Sequence, residues 1–87
     1  MRYQVSFRGM VQGVGFRATA KDFARGFPIT GWVRNEPDGS VMLVAEGKED
    51  DIERFLDSLR QAMHDRIRSE ELEVFEHERG YTGFEIR

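Results

Sequence analysis

Residues 36–39 read Glu-Pro-Asp-Gly, and this short turn limits the possible folds more than any other feature of the chain. Proline fixes φ near −65° and glycine accepts a positive φ, so the stretch reverses the backbone tightly. It lies between two segments with the composition of strands, ITGWVRN at 29–35 and SVMLVAE at 40–46. The two therefore pair as an antiparallel hairpin. A hairpin here argues against a doubly wound parallel sheet, whose successive strands are joined by crossover helices.

The remaining periodicities fall into place around that hairpin. Tyr3, Val5 and Phe7 alternate with Arg2, Gln4, Ser6 and Arg8, which predicts a half-buried first strand. Phe16, Ala20, Phe23, Ala24 and Phe27 recur at spacings of three and four, the apolar stripe of a helix. Gly26 reads as its stop signal, and Pro28 opens the next segment. Ile52, Phe55, Leu56, Leu59 and Met63 mark a second helix, with Glu49, Asp50 and Asp51 at the positive end of its dipole. Leu72 and Val74 alternate with glutamates in a fourth strand, and GFEIR at 83–87 forms a short fifth. The predicted class is α+β: a ferredoxin-like split βαβ sandwich of order βαββαβ. It has a mainly antiparallel sheet of four strands plus a short C-terminal strand, with both helices on one face. A chain of this size buries only about 60% of its unfolded surface, enough for one core, so residues 1–87 are read as a single domain.

Composition removes several functional classes. There is no cysteine, so disulfides, thiolate metal ligands and cysteine nucleophiles are excluded. The net charge of −3 and the lack of a dominant basic stripe argue against a nucleic-acid binder. The N-terminus alternates polar and apolar residues, unlike a signal peptide, and no apolar run reaches membrane-spanning length. The expectation is a cytoplasmic monomer with no membrane partner.

The stretch GMVQGVGFR, residues 9–17, carries the chemistry. It places three glycines and an arginine between the first strand and the first helix. Glycines let successive backbone N–H groups converge, and a helix start adds unpaired N–H groups and positive potential. The pattern suits phosphate, sulfate or carboxylate. It is not a Walker loop, since no G-x-x-x-x-G-K-[ST] occurs. GVGFRA at 13–18 satisfies G-x-G-x-x-A, but the hairpin that follows contradicts a dinucleotide fold. Arg17 has two readings. One is a solvated side chain at an unfavourable helix position; the other is a bidentate ligand for an anion seated in the loop. Asn35 also has two. Asn commonly starts a turn, yet in a split βαβ unit its strand ends at the same sheet edge as the glycine loop.

GMVQGVGFR followed by GWVRNEPDGSV, together with the tail GYTGFEIR, resembles the acylphosphatase family over residues 3–87. The resemblance implies the same ferredoxin-like fold. It implies hydrolysis of acyl phosphates to a carboxylate and inorganic phosphate. It assigns phosphate binding to Arg17 and to the backbone of Gln12, Gly13, Val14, Gly15 and Phe16, and the positioning of the attacking water to Asn35. It implies no metal and no organic cofactor. The partners are then a small-molecule acyl phosphate and its phosphate product.

Two rivals stand beside this reading. One is a non-catalytic module that holds phosphate or carbamoyl phosphate. The other is an interaction domain whose sheet face, including Met42 and Val44, meets a partner; an exposed apolar patch would mark it. The chain departs from the family pattern at Met42, where relatives often carry glutamate, and after the second helix, where a Gly-Pro pair is absent. Glu36 adds negative charge beside the anion site and is expected to point to water. His64 and His77 are read as surface residues, and the glutamates at 70, 71, 73, 76 and 78 as a solvated strand face and loop. Trp32 is read as packing rather than a base-stacking platform. The acidic residues at 49–53 lack calcium-loop spacing.

Overall fold

The computed structural model describes all residues 1–87. Its elements are β1 (Arg2–Gly9), α1 (Phe16–Ala24), β2 (Thr30–Asn35), β3 (Val41–Glu46), α2 (Glu49–Ala62), β4 (Ile67–Phe75) and β5 (Phe84–Ile86). The five strands form one sheet in the order β4-β1-β3-β2-β5. Every pairing is antiparallel except β2 with β5. This is the ferredoxin-like βαββαβ arrangement, with the hairpin at 36–39 where the turn chemistry places it.

Register decides which side chains meet the helices. Val5 lies opposite Leu43 and Phe7 opposite Val41, and Val33 lies opposite Leu43 from the other side. These residues are fully buried, together with Ala20 of α1 and Ile52, Phe55 and Leu59 of α2. Full burial of each of these side chains other than Ala20 contributes about 1.5–3 kcal/mol, so this shared core is the main stabilising element. Two sets of aromatic contacts anchor the helices on the sheet. Phe7 and Phe16, with centroids 5.0 Å apart, fix the start of α1 over β1. Phe55 meets Phe27 at 6.0 Å and Phe84 at 5.6 Å, tying α2 to the end of α1 and to β5.

Two expectations need correction. Gly26 is not a left-handed stop: its φ is not positive. Instead the N–H groups of Arg25, Gly26 and Phe27 bond back three residues to Asp22, Phe23 and Ala24. Past Ala24 the chain tightens into this turn, and Pro28, which has no N–H, cannot continue it. Glu70 is not simply solvated. It shares the helix-facing side of β4, opposite Phe7, and binds the Arg60 guanidinium of α2 at 2.8–3.0 Å. Leu72 and Val74 lie on that same side, opposite Val5 and Tyr3, yet stay 46% and 47% exposed because β4 is the outermost strand.

The helix-free face is not an apolar patch. Val44 and Trp32 are buried there. Arg34 and Arg87 both stack on the Trp32 ring, at 4.8 and 5.2 Å. β4 and β5 are opposite edges of the sheet, so the segment joining them must span it. That segment is held by Glu46, which is 1% exposed and whose carboxylate accepts the N–H groups of Arg79, Gly80 (2.9 Å) and Tyr81 (3.2 Å). The interaction-face reading therefore loses the exposed apolar surface it required.

Candidate anion-binding site

β1 and β2 each pair antiparallel with β3 and so run in the same direction. Their C-terminal ends, Gly9 and Asn35, lie at one edge of the sheet. The connection from β1 to α1 crosses that edge. Gly13 and Gly15 have φ of 76° and 78°, and a Cβ on either would meet nothing within 4 Å. Glycine is needed there for backbone twist, not for space. Gly15 is the N-cap of α1, with no side-chain cap and no acidic residue in the first turn. None of the backbone N–H groups of residues 12–16 bonds to a backbone carbonyl. The loop thus leaves five N–H groups without a backbone partner at the positive end of a helix.

Gly13, Gly15, Phe16, Arg17 and Asn35 line one cavity of about 200 Å³. Residues from distant parts of the sequence therefore meet here. Arg17 is half-buried and has no ion-pair partner. The Oδ1 atom of Asn35 is buried without a hydrogen-bond partner. An unsatisfied buried acceptor costs about 1–3 kcal/mol, and a donor entering the cavity would relieve that cost.

Two of the residues expected in the seat do not line the cavity. Val14 packs against the hydrophobic core. Gln12 turns to the hairpin, where its Nε2 donates to the carbonyls of Glu36 (2.8 Å) and Ser40 (2.9 Å). Both keep their backbone N–H groups in the loop. Glu36 pairs with Arg34 at 2.9 Å, which offsets its charge. Val11, Ala18 and Ile86 also line the cavity and were not anticipated. Ile86 arrives through the parallel pairing of β5 with β2, opposite Val33, for which no local sequence signal exists.

His64 and His77 are exposed, and neither lines the cavity. No group of three His, Cys, Asp or Glu side chains is placed to hold a metal ion. A larger cavity, about 450 Å³, lies on the helix-free face, but Glu36, Asp38, Glu71 and Glu73 line it. Arg8 there pairs with Asp38 at 3.3 Å. Its carboxylates make it unfit for an anion, so charge rather than volume selects the smaller cavity.

Fold and site together define a small ferredoxin-like domain with a candidate anion seat at a strand–loop–helix junction. The acylphosphatase family model matches residues 3–86, and the chain belongs to that family. It is 44% identical, over 87 residues, to an acylphosphatase of Methanospirillum hungatei JF-1, covering 99% of this chain and 96% of that one. The crystal structure of acylphosphatase from Bacillus subtilis superposes with a TM-score of 0.89 at 27% identity, covering 99% and 97% of the two chains. HypF from T. kodakarensis is similar with a TM-score of 0.84 at 30% identity; the match spans all of this chain but 12% of HypF. Membership in the family carries acylphosphatase-type hydrolase activity.

Proposed function

We propose that the chain, acting as one cofactor-free and metal-free domain over residues 1–87, hydrolyses small acyl phosphates at this cavity. The observation that carries the reading is that Gly13, Gly15, Phe16, an unpaired Arg17 and Asn35, whose Oδ1 is orphaned, line one space, in a loop whose N–H groups at 12–16 have no backbone partner. The N–H groups of residues 12–16 and the guanidinium of Arg17 hold the phosphoryl oxygens. Their charge is complementary to the charge that spreads over those oxygens in a loose transition state. Asn35 Oδ1 accepts a hydrogen bond from a water and aims its oxygen at phosphorus. The new P–O bond forms as the bond from phosphorus to the carboxyl oxygen breaks. A carboxylate leaves with the electron pair, and the water's proton passes to a phosphoryl oxygen. Because a carboxylate is a weak base, its departure needs no general acid, which agrees with a cavity that holds no histidine or carboxyl side chain.

The test is hydrolysis of benzoyl phosphate without added metal by the wild type, Arg17→Ala and Asn35→Ala. Arg17→Ala should lose both phosphate binding and rate. Asn35→Ala should still bind phosphate and be nearly inactive. The similarity to a segment of the much longer HypF favours one second reading, a module that binds phosphate or carbamoyl phosphate without turning it over. A folded wild type that binds phosphate but releases no benzoate would establish that reading instead. The proposal includes a monomer in the cytoplasm, and sedimentation of the purified chain checks its mass.

A further inference from the structure

The phosphate seat and Asn35 belong to different parts of the chain. The seat follows β1 and leads into α1, while Asn35 is the last residue of β2. The attacking water must lie in line with the leaving oxygen, so the distance between these two parts has to be held closely. Backbone bonds do not hold it, because residues 12–16 make none from their N–H groups. One side chain does span the gap. Gln12 Nε2 donates one hydrogen to the Glu36 carbonyl at 2.8 Å and the other to the Ser40 carbonyl at 2.9 Å.

These two acceptors are the neck of the hairpin. The last registered pair is Asn35 with Val41, and beyond it the Glu36 N–H donates to the same Ser40 carbonyl at 2.8 Å. That carbonyl uses both lone pairs, one toward each donor. Ser40 is itself fixed, since Asp38 accepts from its N–H at 2.9 Å and from its hydroxyl at 2.6 Å. The Gln12 carboxamide therefore grips a rigid point one residue beyond Asn35. We propose that Gln12 is a positioning residue, whose two donated hydrogen bonds set Asn35 against the phosphate seat. This rests on the reading of Asn35 as the water-positioning group. The seat keeps its glycine twist without this grip, so loss of the grip displaces Asn35 more than it disturbs phosphate binding.

The experiment compares Gln12→Met, which keeps the length and loses both donors, with Gln12→Glu, which keeps the shape and replaces donors by acceptors. Steady-state constants for benzoyl phosphate, inhibition by inorganic phosphate and the NMR signal of the Asn35 carboxamide are read on each. A misplacement of about 1 Å can cost up to about 100-fold in rate. The expected result is a fall in kcat of about 10- to 100-fold in both variants. In Gln12→Met, which adds no charge near the seat, KM and the phosphate inhibition constant should stay within about twofold of wild type. The Asn35 carboxamide resonances should shift, and their response to added phosphate should be lost. Unchanged kcat overturns the proposal. So does an equal weakening of phosphate binding in Gln12→Met, which would make Gln12 a support of the seat, and so does a full effect in Gln12→Met with none in Gln12→Glu, which would assign the role to something other than donation. If the wild type turns over nothing, the hydrolase reading fails. The Asn35 signal in wild type and variants then still decides whether Gln12 couples that side chain to the phosphate seat.

Discussion

Two loops of this molecule carry runs of backbone N–H groups that no backbone carbonyl accepts. In the segment 76–83, the N–H groups of Arg79, Gly80 and Tyr81 converge on Glu46, an anion that belongs to the chain. In the loop between β1 and α1, the N–H groups of residues 12–16 have no backbone partner, and Gly13, Gly15 and Phe16 line a cavity with no acidic side chain in its lining. Gly80 has φ of 80° and Gly15 of 78°, so the backbone device is alike in both. The difference is whether the fold supplies the anion. Where it does, the loop is a clasp that holds the crossing segment on the sheet. Where it does not, the same arrangement is the phosphate seat proposed above, and the unsatisfied donors would be the source of its affinity.

Supplying an anion to the open loop should abolish the difference. Ala18 is exposed and borders the cavity at the third position of α1. Ala18→Glu places a carboxylate beside the seat, where a helix start also favours it. Its kcat/KM for benzoyl phosphate should fall by about 1000-fold, roughly 4 kcal/mol of transition-state stabilisation. Thermal unfolding should be unchanged or slightly later. Normal kinetics in Ala18→Glu would mean that phosphate sits elsewhere.

Removing the anion from the closed loop is the converse. Glu46→Ala leaves three donors without their acceptor in a buried place, and a loss of about 3 kcal/mol is expected. For a domain of this size that lowers Tm by about 12–24 °C. Glu46→Gln keeps one acceptor and should lose less. Where either variant remains folded, phosphate inhibition should match wild type. A parallel loss of phosphate binding would show that the two loops are coupled through β5.

The paired glycines sharpen the comparison further. Gly15→Ala and Gly80→Ala each force an alanine into the left-handed region with no steric contact, which costs about 1–2 kcal/mol. Equal shifts in denaturation midpoint are expected, but a loss of phosphate affinity only in Gly15→Ala. Equal kinetic effects would remove the functional distinction.

The smallest expected effect tests the region away from both loops. Burial holds the Tyr3 hydroxyl up at about 12, with Glu49 and Glu53 beside it adding to the rise. A group whose folded pKa is raised gives its full stabilisation below its unfolded value, near 10 for tyrosine, and loses it as pH climbs toward the folded value. Stability should therefore fall between about pH 10 and 12, and Tyr3→Phe should flatten that limb in denaturant titrations. Activity at pH 7 should not change, since Tyr3 does not line the cavity.

Much of this was legible from residue order, because its causes are local. Alternation at Tyr3, Val5 and Phe7, the helical stripe beginning at Phe16 and the turn at Pro37-Asp38-Gly39 each act over a few neighbours. So do the glycines of the loop, whose positive φ follows from the absence of a Cβ. The family resemblance then pointed to Arg17 and Asn35 as one site, and the strand directions agree in placing both at one edge. The errors arose where an outcome depends on what lies across the sheet. Gly26 lies just past the helix end at Ala24 but without the left-handed φ of a glycine stop, because a three-residue turn carries the chain on to Pro28. Glu70 has the look of a solvated residue until register puts it under Arg60 of α2.

Sequence by itself determined the elements, their order, the hairpin and the flexible loop that ends in a charge. Only the tertiary structure decided that Gln12 reaches 24 and 28 residues ahead to grip the hairpin. Only there does Ile86 come to border the cavity, and only there does Glu46 become an internal anion for a loop 33 residues away or more. The physical reason is range. Turn chemistry and periodicity are set by neighbours along the chain, whereas side-chain partners across a sheet are chosen by register and packing, which no local pattern encodes.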